Sequence, residues 1–405
     1  MTTTSGATAL QFGIYRDGDN NLDEVQSPVL DQAFQTSRRD PSIAFDVEDF
    51  TARGDDFSEG HTPRTESYAI RNGNVEGNVR EARPGDPSAR ATLTRFVAHT
   101  LDEAERNGAK QTWIDLVDHG GGDGGGLQNH LGKVMGSDDM AGAIADGVAM
   151  HAREHPEDAG RGIDGVVANQ CLMATVSFES ALSHAGVKFL AASPETMLAP
   201  GTPTTVAEAI VKHPDDPQAM AHEMVTRTMH ARYGLDGDSY APAAAFDVLD
   251  LAPEKIAAME GAVGALDGTI ATEAKSASVR GAILEDARSV DGMVRFTNQP
   301  YPWHADRPAE ALYGAFARDA RLPEDLRHAA ADAKQAVGAT VLAHGESRGF
   351  VPFGDASYRD SAGPTVHFAT SRSERDPWAP QIRETDTAFD AKVGEDGVDR
   401  ALKTA

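Results

Sequence analysis

Short apolar runs alternate with longer stretches of helical spacing along the first half of the chain. Leu10 to Arg16 carries Phe12, Ile14 and Tyr15, and Ser42 to Phe50 alternates with Ile43, Phe45 and Val47 on one face. A period of two predicts strands. Arg64 to Arg71, Gln111 to Val117, Ile163 to Ala168 and Val187 to Ala192 read the same way. Between them, Ala89 to Arg106 spaces Leu93, Phe96, Val97 and Leu101 as one helical face, with Gly108 as its stop. Met140 to His155 is a second helix, ended by Pro156, and Leu172 to His184 a third, closed by Gly186. Strands alternating with helices predict an α/β fold, a mostly parallel sheet flanked by helices.

The pattern changes after Leu251. Pro253 to Thr272, Pro308 to Ala320 and Pro323 to Gly338 read as helices, each opened by a proline in its first turn. Thr340 to Ala343 and Thr365 to Ala369 have strand character and are expected to return to the sheet. The expected organisation is a core over 1–250, a mainly helical region over 251–345, a return to the core over 346–372, and a mobile polar tail over 373–405.

Composition narrows the functional classes. The 405 residues include 37 basic and 63 acidic ones, a formal charge of −26. Such a surface repels phosphate backbones and anionic lipid, so neither nucleic acid nor membrane is an expected partner. No run reaches the roughly 18 apolar residues of a membrane span. The first fifteen residues lack the basic start of a secretory signal, so a cytoplasmic location is expected. One cysteine excludes an intrachain disulfide framework.

Several motifs match known chemistry and fail on context. Asp17-Gly18-Asp19-Asn20-Asn21-Leu22-Asp23 has calcium-loop spacing, but Leu22 and Pro28 stand where an EF-hand needs glycine and glutamate. A loop capping the following helix is the better reading. His151-Ala152-Arg153-Glu154-His155 matches the inverted zinc-peptidase pattern, but Pro156 ends the helix at once. Gly345-Glu346-Ser347-Arg348-Gly349 fits a nucleophile elbow with no helix to follow. The run Gly120 to Gly126 contains G-x-G-x-x-G, yet no helix opens after it and no Lys-Ser/Thr pair makes it a P-loop.

The glycines have another use. His119 stands at the end of the strand Trp113 to Asp118, and Cys171 stands just past the strand Gly165 to Ala168. Chemistry in open α/β sheets gathers beyond the carboxyl ends of the strands. Neighbouring strands ending in His and Cys would set both side chains on one rim. With a helix read as starting directly after it, Cys171 is expected to lean toward thiolate. Glycines after His119 let backbone N–H groups approach an oxyanion. A buried structural cysteine beside a chance histidine is the competing reading.

At these residues the chain resembles the clostripain-like cysteine peptidases, relatives of caspases, legumains and gingipains. The resemblance rests on Asp118-His119-Gly120-Gly121-Gly122 and on Asn169-Gln170-Cys171-Leu172-Met173-Ala174. Asp19-Asn20-Asn21-Leu22, Ala192-Ser193-Pro194-Glu195 and Gly363 to Phe368 follow in the family order. It implies a caspase-like fold and a bacterial-type thiol protease in which Cys171 is the nucleophile and His119 the proton shuttle. It places the N–H groups of Gly120 and Cys171 in the oxyanion hole. It requires no metal or organic cofactor, and it leaves calcium dependence open. A non-catalytic caspase-like module that binds partners is the alternative.

The same resemblance puts Asn169, Ser193 and Glu195 around the P1 pocket of a peptide or protein substrate. The family usually has Asp where this chain has Asn169, so Glu195 would supply the acid for an Arg or Lys side chain. A small or polar P1 residue is the other reading of that amide. The linker from Gly121 to Arg161 carries Lys133, Arg153 and Arg161 and is the expected place for an activating cut, by the enzyme itself or an upstream protease. Lys133 is favoured, and a single chain that is active uncut is the alternative.

Overall fold

The computed structural model describes residues 8–51, 63–81, 85–235, 238–240, 245–290, 306–346, 363–368, 370, 388–393, 398 and 401–402. Its main sheet has nine strands in the order β12-β10-β7-β6-β5-β1-β2-β3-β4. In chain order these are β1 (Leu10–Gly18), β2 (Ile43–Thr51), β3 (Arg64–Arg71), β4 (Asn74–Glu81), β5 (Gln111–Val117), β6 (Gly165–Asn169), β7 (Phe189–Ala192), β10 (Ala245–Asp250) and β12 (Val341–Glu346). Two short pairs lie outside it: β8 (Tyr233–Leu235) with β9 (Asp238–Tyr240), and β11 (Asp306–Pro308) with β13 (Thr365–His367). The five central strands are parallel, and antiparallel strands extend both edges. The expected α/β architecture holds, and the antiparallel edges are the addition.

Parallel strands covered on both faces must be apolar on both faces. In β1, Leu10, Phe12 and Ile14 join one buried cluster and Tyr15 joins the other. In β5, Trp113 and Val117 point one way and Ile114 and Leu116 the other. Helices α1 (Asp23–Gln26) and α2 (Pro28–Arg39) follow β1, and α3 (Arg90–Asn107) precedes β5. Next come α4 (Ser137–Glu154), α5 (Val176–His184), α6 (Val206–Lys212) and α7 (Pro217–His230). The α2, α6 and α7 side buries Val29, Ile210 and Met224, and the α3, α4 and α5 side buries Phe96, Ile144 and Phe178.

Helix ends follow local chemistry. Gly108 closes α3 in the left-handed conformation with φ 63°, as expected of a glycine stop. Asp216 caps α7 by accepting from the Ala219 N–H at 3.0 Å, ahead of Pro217 in the first turn. The helices α8 (Pro253–Glu273), α9 (Ala277–Ser289), α10 (Ala309–Arg318) and α11 (Glu324–Gly338) build the region past 251. Their Leu266, Ile283, Leu312 and Leu326 belong to the same buried cluster as Ala192 and Leu249 of the sheet. The helical region therefore extends the core layer.

Three expectations are corrected. The third helix starts at Val176, not Leu172, because Thr175 is its N-cap and accepts from Phe178 N at 3.1 Å. The return to the main sheet is made by β12, antiparallel to β10, whereas β13 pairs with β11 and bridges to Thr175. Within the stretch read as a mobile polar tail, Ala388–Val393 is helical, and Phe389, Val393, Val398 and Leu402 are buried in the main cluster. Phe389 and Val393, like Val398 and Leu402, stand four apart, a helical spacing too brief to register among polar neighbours.

Candidate active site

The chain goes from β1 outward to β2 on one side and returns to β5 on the other. The switch point of the sheet is therefore the crevice between the carboxyl ends of β1 and β5, where open α/β sheets carry their sites. Asp17 to Leu22 leave β1 there, and Asp118 to Gly126 leave β5. The loop after β1 is set by its own side chains: Asp17 Oδ1 accepts from Asp19 N at 3.0 Å and Asn20 Oδ1 from Leu22 N at 2.8 Å. Such Asx turns free the following residue, Asn21, to reach across.

β5 and β6 are parallel neighbours with Val117 opposite Asn169, and the ladder continues through Asp118 N to Asn169 O at 3.4 Å. Two residues further along each strand stand His119 and Cys171, on one rim. Their backbones touch. A Cβ on Gly120 would collide with the carbonyl oxygen of Cys171 and stand 2.9 Å from its nitrogen. A Cβ on Gly126 would stand 2.6 Å from the Gln170 amide nitrogen. Gly120 thus lies against the Cys171 backbone and Gly126 against the Gln170 side chain, close approaches that account for these two glycines without a nucleotide. Neither Gly120 nor Cys171 gives its N–H to a backbone carbonyl among the described residues.

His119 is half-buried, and its Nε2 is 2.9 Å from Asn21 Oδ1. An amide oxygen only accepts, so Nε2 carries the hydrogen and Nδ1 is the basic nitrogen. Burial lowers the His119 pKa below the ordinary value, which keeps the ring neutral. Beneath it Asp118 is buried and accepts from Asn20 Nδ2 at 2.7 Å and from Gln128 N. Burial holds both Asp118 and Asp17 above the usual range, and the charge of Asp118 adds to the rise at Asp17, whereas the hydrogen bonds at Asp118 work the other way. Asn20 also donates to Gln128 O at 2.6 Å, and His130 Nδ1 lies 2.6 Å from Asp19 Oδ2. These bonds tie the linker after the glycines to the loop that carries Asn21.

Cys171 departs from expectation. Its thiol pKa is pushed up, first by burial and then by the charges of Asp118 and Glu195, while its bond to Met197 works the other way. Cys171 and Leu172 form a turn with Leu172 at φ 65°, and the helix begins only at Val176, five residues past Cys171, too far for its dipole to act on the sulfur. The Sγ instead accepts from Met197 N at 3.2 Å and faces Met197 O at 3.5 Å. No thiol–imidazole hydrogen bond is present among the described residues. The turn is buttressed by Leu172 N to Glu195 O at 3.0 Å, Ala174 N to Ser193 O at 3.1 Å, and Thr365 N to Ala174 O at 2.8 Å.

The pocket residues divide by what they are bonded to. Asn169 is buried, accepts from Thr202 N at 2.8 Å and donates to Thr202 O at 3.2 Å. Ser193 Oγ donates to Ala245 O at 2.7 Å and accepts from Glu195 N at 3.0 Å. Both shape the loop past β7 from below. Glu195 is buried and, after Asp118, is the second acidic group whose charge acts on Cys171. In the linker, Lys133 is exposed beside the exposed Leu131 and reaches Asp86 at 3.1 Å. Arg153 lies within α4, and Arg161 donates to Ala109 O at 2.8 Å.

Asn21 was hidden in the sequence because its place in a loop says nothing of its reach. The Asp-Asn-x-Leu match was the signal available. Asp123, Asp306 and His367, beside the glycine loop, present ligand atoms within 4.8 Å of one another and could hold a cation. The residues Ser347 to Gly349 of the elbow-like motif lie outside the described ones.

Neither a protein-family model nor a curated protein matches the chain. Solved structures share its fold. A secreted C11 cysteine protease from Bacteroides thetaiotaomicron, solved with an irreversible peptide inhibitor, aligns with a TM-score of 0.64 at 13% identity, over 96% of this chain and 100% of that one. An inactive zymogen C11 protease from Parabacteroides distasonis aligns with a TM-score of 0.62 at 14% identity, over 95% and 98%. A second secreted Bacteroides thetaiotaomicron structure, "iotapain", gives 0.61 at 12%, over 95% and 99%. Among the described residues, no helix is long and apolar enough to cross a membrane.

Proposed function

We propose that this chain, which has the fold of the C11 cysteine proteases, is itself a cysteine endopeptidase. The observation that carries the proposal is the paired ends of β5 and β6, which set His119 and Cys171 on one rim with Gly120 against the Cys171 backbone. His119 Nδ1 takes the proton of the Cys171 thiol as the sulfur attacks the scissile carbonyl. The N–H groups of Gly120 and Cys171 receive the oxyanion. His119 returns the proton to the leaving amine, and water, activated by the same nitrogen, hydrolyses the acyl-enzyme. Asn21 holds the ring's tautomer throughout. These steps use no metal and no organic cofactor.

We read the described arrangement as a resting one. The sulfur is held by Met197, and the imidazole by Asn21. Turnover needs the Met197 loop to release the thiol. We assign that release to a cut in the exposed turn at Lys133, whose loop is bonded to the Asn20 and Asp19 side chains. The zymogen state of the Parabacteroides distasonis protein supports latency here by analogy. Glu195 is proposed to receive Arg or Lys at P1, with Asn169 and Ser193 fixing its loop. The raised thiol pKa favours a second reading, a partner-binding module without turnover. The cytoplasmic location expected from the sequence stands beside neighbours described as secreted, and fractionation of the native host decides it.

Fluorogenic peptides ending in Arg, Lys or Ala, with and without iodoacetamide, test the assignment. Alkylation-sensitive cleavage of the Arg and Lys peptides is expected. Absence of cleavage by both intact and Lys133-cut protein supports the module.

A further inference from the structure

The motif His151-Ala152-Arg153-Glu154-His155 lies at the other end of the sheet from the catalytic rim. Arg161, which follows it, bonds the carbonyl of Ala109 just before β5 begins, whereas His119 stands where β5 has ended. The helix α4 holds through its last turn, with His155 N bonded to His151 O at 2.8 Å. The two imidazoles are therefore one turn apart on one face, stacked with centroids 4.9 Å apart and planes 19° apart.

Carboxylates meet both nitrogens of both rings. His151 Nδ1 is 2.7 Å from Asp102 Oδ1, and its buried Nε2 makes no hydrogen bond, with Asp158 Oδ2 3.5 Å away. His155 Nδ1 is 2.6 Å from Glu105 Oε2, and its Nε2 is 3.5 Å from Asp102 Oδ1. Two imidazoles one helical turn apart thus converge on Asp102 Oδ1, and each has a further carboxylate near its other nitrogen, Asp158 for His151 and Glu105 for His155.

We propose that Asp102, His151 and His155 form a site for a divalent transition-metal ion such as Zn(II). The ligand atoms are Asp102 Oδ1, His151 Nδ1 and His155 Nε2, which lie within 4.8 Å of one another. A tetrahedral ion with bonds of about 2.0–2.1 Å separates its ligand atoms by roughly 3.3 Å. The two spacings from Asp102 Oδ1, 2.7 and 3.5 Å, straddle that value, and the stacked rings turn toward each other for both lone pairs to meet one ion. Glu105 behind His155 and Asp158 behind His151 match the carboxylate–histidine arrangement that fixes metal-bound rings. Asp158 is in turn held by Arg161. Two imidazoles and a carboxylate suit zinc better than calcium or magnesium. Asp102 and His155 are only half-buried, which leaves an entry path and room for a water as fourth ligand. The ion would clamp α3 to the end of α4 and stabilise the fold. It takes no part in peptide cleavage, so this site stands or falls apart from the proposed activity.

The test uses the full chain carrying Cys171→Ala, which removes the one thiol that could compete for metal. Chelator-treated protein is loaded with Zn(II), gel-filtered and analysed for metal, and its melting temperature is followed with and without zinc. One zinc per chain and a raised melting temperature are expected. Adding His155→Gln or Asp102→Asn should weaken binding by about tenfold or more and abolish the thermal shift, with the metal-free melting temperature close to the parent's. No saturable zinc would overturn the site. Zinc bound equally well by both variants would overturn it too, by placing the ion elsewhere.

Discussion

Asn21 holds His119 by one hydrogen bond of 2.9 Å, and that bond decides which ring nitrogen is basic. Asn21→Ala should leave the fold unchanged and lower kcat by about tenfold, the equivalent of one hydrogen bond of ordinary strength, with KM little altered. Steady-state kinetics on an Arg-terminated peptide checks it, and an unchanged kcat would remove Asn21 from the site. The thiol gives a second expectation. Burial raises the Cys171 pKa, so at pH 7 less of it is thiolate than in a free cysteine. Because it is the only cysteine, iodoacetamide uptake reports on it alone. Uncut protein should alkylate slowly at neutral pH and accelerate with an apparent pKa above the ordinary thiol value of about 8.5. Fast alkylation at pH 6 would show that the resting sulfur is already ionised. At this scale the sequence was partly legible. His119, Cys171 and Gly120 could be read because strand ends and glycines have positional meaning. Asn21 and Met197 could not, because one acts through a loop's reach and the other through its backbone.

At the scale of elements, the strand ends act as the positioning device. Gly120→Ala would drive a methyl group into the Cys171 carbonyl and force β5 and β6 apart at the rim. We expect a loss of stability of about 1–3 kcal/mol by chemical denaturation and a loss of cleavage larger than instability alone explains. A fully active Gly120→Ala would mean the two backbones do not need this contact. The exposed turn at Lys133 carries the activation proposal. Lys133→Ala should keep the chain whole and latent, seen by intact mass and peptide turnover together. Full turnover by an uncut chain would contradict it. Strand β5 was legible to the residue as an apolar run, and β3 as an extended piece between Pro63 and Asn72-Gly73. The start of α5 was not, because Leu172-Met173-Ala174 is as apolar as a helix face yet sits in a turn fixed by Glu195 O and Ser193 O. The strand β4 and the helix α9 escaped because neither carries a clear apolar period.

At the scale of the whole molecule, the proposed catalytic rim at the ends of β5 and β6 adjoins the switch point of the sheet between β1 and β5, and the chain carries a formal charge of −26. The alternation of strands and helices gave the architecture. The antiparallel edge beyond β7 needed the return of residues 245–250 and 341–346, a pairing over long separation that local pattern does not encode. Burial of Phe389, Val393, Val398 and Leu402 likewise depends on the distant α8 and α5. The central claim is that Cys171 is the nucleophile of an endopeptidase. The most direct measurement compares wild-type and Cys171→Ala protein, each cut at Lys133 by an added Lys-specific protease that is then removed, on an Arg-terminated fluorogenic peptide. Wild type should cleave it, and Cys171→Ala, with melting temperature nearly unchanged, should show no turnover. Equal cleavage by the two proteins would contradict the account.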